Sequence, residues 1–424
     1  MKILLVNTSE KTGGAAVATH RLMEALNNSG EKAKMLVRDK QSDDISVVSL
    51  RKSLLHRWYF LWERWCIFWH LQFSKHQLFA IDIANAGTDI TSLPEFKEAD
   101  IIHLSWINQG MLSLNSIRKI VLSGKPVVWT MHDLWPATAI CHLSMNCNRF
   151  KSKCSHCPYL PGSGSKNDLS TRIWNKKKEI YQRSNIHFVA CSKWLASQAR
   201  QSGLLKGMNV FAIPNPIDTH VFTKGNKEKA CTRQNLPADK QLILFASQRI
   251  TNGNKGIQYL VEACNNLAEE KPEWKDKIGI IVLGGHSEEV KDKFPFPVYP
   301  MGYISDTATL IDIYNAASIF VLPSLSENLP NTIMEAMACG TPCIGFNVGG
   351  IPEEIDHKKN GYVAQYMSAD DLAKGIKWVL EEADYDELSR QAIRKVTLSY
   401  SQNAVALKYI EVYSQAIAFK KYSI

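Results

Sequence analysis

The feature that most constrains this chain is an alternation of short apolar runs with helical patterns, sustained from one end of its 424 residues to the other. The strand-like runs fall at residues 3–6, 33–37, 101–104, 127–130, 187–190 and 210–213, and then at 242–246, 278–283, 319–322, 342–345 and 361–363. Continuous apolar runs of this length suit strands buried on both faces, and strands separated by helices pair in parallel. The two successive series predict an α/β protein of two Rossmann-like domains, 1–218 and 241–400, each a parallel sheet covered by helices. The polar stretch 219–240 reads as the linker. Residues 401–424 predict a last helix that packs back on the first domain. Ligands of open parallel sheets lie beyond the carboxyl ends of the strands, so the two sheets are expected to face a central cleft.

Composition narrows the function classes. A hydrophobic fraction of 45% and a charged fraction of 21% are those of a folded globular chain, long enough for two sizeable cores. No run is apolar and long enough to cross a bilayer. Residues 1–7 lead directly into a Gly-containing turn, which suits a first buried strand and not a secretory leader. The ten cysteines are scattered, so reduced thiols and a cytoplasmic protein are expected. A formal charge of +9 calls for an anionic partner: a nucleotide, a nucleic acid or a membrane surface. The basic residues form no long tract and no nucleic-acid motif is present, which sets nucleic acid aside.

Glu327 and Glu335, separated by seven residues, follow the apolar strand run 319–322 and enter a helical pattern. Alone, the pair fits two solvated carboxylates on an amphipathic helix as well as it fits a site. As it stands in Ser324-Leu-Ser-Glu327-Asn-Leu-Pro-Asn-Thr-Ile-Met-Glu335, however, it resembles the donor-binding motif of retaining, nucleotide-sugar-dependent glycosyltransferases of family 4, which have the GT-B fold. The resemblance implies that Glu327 holds the donor sugar and Glu335 the ribose. The backbone of Leu329, Pro330, Asn331 and Thr332, opening a helix, would hold the diphosphate. Arg249 and Lys255 match the family's cations that stabilise the leaving diphosphate, a role that fixed positive charge fills best as the glycosyl bond breaks. Gly284-Gly285, Gly302 within Met301-Gly-Tyr-Ile304, and Gly349-Gly-Ile-Pro-Glu353 follow in the family's order, Gly302 lining the donor site. In the first half, Gly14 falls between the first strand and a helix, where backbone can approach a ligand. His132, after a buried strand, matches the histidine that orients sugar or acceptor hydroxyls; His20, His103 and Asp133 carry no such match. One departure stands out: the family usually has Gly after the first Glu, and this chain has Asn328, a residue that tolerates left-handed backbone.

The implied activity is transfer of a sugar from a UDP- or GDP-sugar to a glycan or lipid-linked acceptor of surface-polysaccharide synthesis, with no catalytic metal. Two alternatives stay open. An epimerase on the same fold would isomerise donor alone, and a non-catalytic lipid- or partner-binding protein would turn over no donor.

Two segments lie outside the resemblance. Cys141, Cys147, Cys154 and Cys157 stand in the spacing C-x5-C-x6-C-x2-C within 141–158, which predicts a closed, structural zinc centre or else four reduced thiols. Residues 51–69 repeat Trp and Leu at helical spacing among Arg51, Lys52, Arg57 and Arg64. That pattern fits a helix on the inner face of the plasma membrane, its four cations on headgroups, or a helix buried in its own domain.

Overall fold

The computed structural model describes residues 1–50 and 54–421. It divides into two compact units, Met1–Pro216 with Val405–Ile424, and Ile217–Ala404.

The first unit is built on a parallel sheet of β1 (Lys2–Ser9), β2 (Lys32–Asp39), β3 (Val47–Ser49), β4 (Ile101–Leu104), β5 (Val127–Met131), β6 (His187–Ala190) and β7 (Val210–Ala212), in the order β3-β2-β1-β4-β5-β6-β7. Alternation along β1 shows why both faces are covered. Leu4 and Val6 enter one core with Leu104, Trp129 and Phe188, while Ile3 and Leu5 enter the other with Leu22 and Leu26 of helix α1 (Gly14–Asn28). The C-terminal helix Gln402–Lys421 completes that second core with Val405, Tyr409, Val412 and Tyr413. The order reverses at β1 and β4, so segments leaving these strands and β5 converge at one end of the sheet.

The second unit repeats the plan with β8 (Gln241–Arg249), β9 (Ile278–Gly285), β10 (Val298–Gly302), β11 (Ile319–Leu322), β12 (Cys343–Phe346) and β13 (Gly361–Ala364), parallel in the order β10-β9-β8-β11-β12-β13. Here the reversal falls between β8 and β11. The stretch 219–240, expected as a linker, belongs to this unit and contains the helix Lys227–Arg233. Asn226 caps the helix by accepting from the Lys229 amide at 2.9 Å, Ala230 and Cys231 are fully buried, and Arg233 Nε donates to Asp312 at 2.7 Å. Few apolar residues sufficed because two of them point inward.

Residues 54–70 form helix α2 (Leu54–His70) of the first unit. Arg51 and Lys52 lie outside the described residues.

Candidate active site

In the second unit the charged residues collect at the carboxyl ends of β8 and β11. Arg249 ends β8, exposed, with Nε donating to Thr251 Oγ1 at 3.2 Å. The loop that follows reaches Lys255 and turns at Gly256, whose φ of 68° belongs to the left-handed region and whose place admits no side chain: a Cβ there would lie 1.8 Å from the Pro323 carbonyl oxygen. This contact presses the Lys255 loop on the end of β11, and Leu325 N donates to Asn254 O at 2.8 Å between the two loops. Lys255 Nζ and Glu327 then form an ion pair, both side chains partly exposed. Gly349, φ 59°, closes the third side, since a Cβ on it would fall 1.7 Å from Glu327 O. Asn328 does not use its left-handed tolerance: it lies outside the positive-φ set.

Leu329 is buried, and Pro330 is the cap of the helix Asn331–Ala338, giving it no side-chain hydrogen bond. Asn331 and Thr332 are the first residues of that helix, so the positive end of its dipole faces the Glu327 loop. Glu335, one turn further, is 7% exposed and accepts from the Tyr314 hydroxyl at 2.8 Å. Gly302 ends the edge strand β10, two strands away from β8, and its N–H donates to Ser287 Oγ at 3.1 Å.

One carboxyl here is unlike the rest. Glu354 is fully buried, and among the described residues neither of its oxygens has a hydrogen-bond partner. Burial, with repulsion from Glu327 second, holds its pKa well above the ordinary carboxyl range.

In the first unit, His132 stands among hydroxyls. His132 follows β5, half-buried; its Nε2 lies 2.8 Å from Ser105 Oγ after β4, which is 2.5 Å from Thr19 Oγ1 on α1. Burial pulls its pKa down to about 4, leaving a neutral imidazole at pH 7. Gly14 opens α1 on the same side. His103 is structural: fully buried, it bridges Thr130 Oγ1 at 2.8 Å and the Tyr413 hydroxyl at 2.5 Å, and burial takes its pKa to about 3.

Asp133 accepts from Trp106 Nε1 at 3.0 Å, from the Trp135 amide at 2.8 Å and faces His142 Nδ1 at 2.7 Å. His142 Nε2 lies 2.6 Å from Asp82, which pairs with Arg64 of α2. Arg64 is therefore not a headgroup cation, because its guanidinium is buried and bound to Asp82 and to the Leu78 carbonyl at 2.7 Å. Spacing along the chain signals none of Ser105, Asp82, His142, Tyr314 or Glu354 as site neighbours. The nearest hint is His142 beside Cys141.

The expected zinc centre finds no support. Cys141, Cys147, Cys154 and Cys157 line one cavity of about 20 Å³, yet among the described residues no group of three or more His, Cys, Asp or Glu side chains is placed to hold a metal ion. All four are free cysteines, and burial pushes the thiols of Cys141, Cys154 and Cys157 up to about 12.

Two family models match these two units in turn: Glycosyltransferase Family 4 over residues 12–221 and Glycosyl transferases group 1 over residues 240–382. The chain belongs to glycosyltransferase family 4. Among curated members, it is 27% identical over 207 residues to a D-inositol 3-phosphate glycosyltransferase of Nocardiopsis dassonvillei, covering 44% of this chain and 46% of the relative. It is 28% identical over 198 residues to the N,N'-diacetylbacillosaminyl-diphospho-undecaprenol alpha-1,3-N-acetylgalactosaminyltransferase of Campylobacter jejuni, covering 45% of this chain and 50% of that one. The matched part spans about half the length of such relatives. The family fold extends further. Sucrose-phosphate synthase from Thermosynechococcus elongatus superposes with a TM-score of 0.65 at 19% identity, over 98% of this chain and 99% of that one. HepE of Anabaena, solved in complex with UDP-glucose, gives 0.63 at 15% identity over 98% and 100%. The two parallel sheets are those of the GT-B fold.

Proposed function

We propose that the chain transfers a sugar from a nucleotide-diphosphate sugar to a hydroxyl acceptor with retained anomeric configuration. The observation that carries this reading is the convergence of Arg249, Lys255, Glu327 and the Asn331–Ala338 helix start at the β8–β11 reversal. A bound diphosphate would draw Lys255 from Glu327, which frees the carboxylate for sugar hydroxyls. As the glycosyl–phosphate bond breaks, negative charge grows on the diphosphate, and the two cations with the helix dipole stabilise it. The departing phosphate oxygen can then take the acceptor proton, so no enzyme nucleophile is assigned. Glu335 would accept from the ribose diol, and neutral His132 would orient hydroxyls of sugar or acceptor. With that positive field in place, transfer needs no catalytic metal.

The donor is read as UDP- or GDP-linked, and UDP-glucose is the first to try because HepE was solved with it. The acceptor is read as a glycan or lipid-linked glycan, in line with the diphospho-undecaprenol in the Campylobacter relative's name. A panel of nucleotide-sugars screened for protection against thermal unfolding should single out one base and one sugar. Incubation of that donor with EDTA and glycan acceptors should then yield a retained glycoside. An isomerised donor without acceptor would make the chain an epimerase, and no protection by any donor would remove the reading.

A further inference from the structure

We propose that the outer face of α2 docks on an anionic lipid bilayer. Trp58, Trp62, Trp65 and Trp69 are spaced four, three and four residues apart. At 100° per residue they fall with Leu54, Leu55 and Leu61 inside an arc of about 120°. Each of these seven side chains is 48% to 79% exposed. Of the chain's eleven tryptophans, these four alone are half or more exposed. Phe73, just past the helix, joins them at ring distances of 5.3 Å from Trp69 and 6.5 Å from Trp65.

The face is held outward by its opposite side. Glu63 accepts from the Ile83 and Ala84 amides at 2.9 and 2.6 Å, Arg64 is bound to Asp82, and Ile67 is fully buried. A water-facing stripe of this size on a fixed helix costs hydration unless something covers it. Charge selects the occupant. Glu63 is the one acidic residue between positions 51 and 81, and it is buried on the inner side. Arg57 on the helix and Lys75 just past its end are exposed. Indole rings at headgroup depth with cations beside them are the chemistry of a helix lying in an anionic interface. A second copy would instead bring the same cationic rim against itself.

The docking face stands on these residues and not on the transferase reading, so it is tested without donor. Co-sedimentation uses vesicles of phosphatidylcholine with phosphatidylglycerol, beside vesicles of phosphatidylcholine alone. The protein should bind the anionic vesicles at low salt and lose part of that binding as salt screens the charges. Trp62→Ser with Trp65→Ser should weaken binding about tenfold or more, and Arg57→Glu with Lys75→Glu should remove the salt-sensitive part. Leu122→Ser, an exposed apolar position elsewhere in the same unit, should change nothing. Thermal melts confirm folding, and if the double Trp variant fails to fold, Trp58→Ser takes its place. Vesicle binding that is absent, or equal in folded Trp and wild-type proteins, overturns the proposal. So does a wild-type dimer that the Trp variants dissociate while vesicles stay unbound, which would assign the face to a second copy.

Discussion

The two units handle polarity in opposite ways at the same structural place. Beyond the strands of the second unit, Arg249, Lys255 and Glu327 are charged and partly open to solvent; beyond β5 of the first, the half-buried His132 is kept neutral beside the Ser105 hydroxyl. The difference suits two tasks. Diphosphate charge needs compensating charge, whereas hydroxyl groups need fixed dipoles that would be lost if an imidazole became a cation.

The sharpest way to break this comparison is to remove the cations. Lys255→Ala and Arg249→Ala should each lower turnover by roughly 10²–10³-fold with little change in melting temperature. Near-normal turnover in either would mean that the charged residues of the second unit do not do the chemistry. His132→Ala should cost about 10²-fold, and because the folded pKa sits at about 4, the wild-type pH–rate profile should lack a His132 limb between pH 5 and 8. A limb near pH 6.5 that His132→Gln abolishes would show that this histidine works charged. Glu335→Ala should weaken nucleoside diphosphate binding about tenfold by calorimetry, since it removes one carboxylate acceptor. Unchanged affinity would place the ribose elsewhere.

The smallest effects concern stability, and they should differ in sign between units. His103 has its pKa lowered from 6.5 to about 3 in the fold, so its contribution is complete above pH 6.5 and is lost as pH falls toward 3. Glu354 has its pKa raised, so it favours the fold below its ordinary 4.5, and that contribution declines as pH rises above it. Melting curves should therefore show His103→Gln flattening the acid side and Glu354→Gln raising stability by a few degrees, roughly, at pH 8 but not at pH 4. Parallel pH profiles for the two variants would erase the contrast.

Much of the fold is legible in sequence because buried parallel strands leave continuous apolar runs, and every predicted run coincides with a strand or its edge. The 219–240 stretch misleads because the helix Lys227–Arg233 is mostly polar and depends on Asn226 and two small buried residues. The charged group of the second unit is legible for a related reason: Arg249 with Lys255, and Glu327 with Glu335, sit at fixed short spacings around one turn each. The polar groups of the first unit are not. Thr19, Ser105 and His132 meet only because α1, β4 and β5 are neighbours in the sheet, and Asp82, Asp133 and His142 meet through a loop. Arg64 shows the limit within a single helix, where an arginine in a Trp-rich stretch turns inward to a carboxylate 18 residues on, beyond the helix end.

The C-terminal helix carries a consequence for synthesis. His103 and Tyr413 are bonded across 310 residues, and Thr130 and Tyr409 across 279. On a ribosome adding about 5–20 residues per second, roughly 15–60 s pass between the appearance of β4 and that of its last partner. During that interval the nascent first unit shows water the apolar sheet face that Tyr409 and Tyr413 will cover, while the entire second unit is being made. The fold therefore places its greatest need for a chaperone before the final helix emerges, and a message truncated near codon 404 would yield a chain whose first unit stays in that unfinished state.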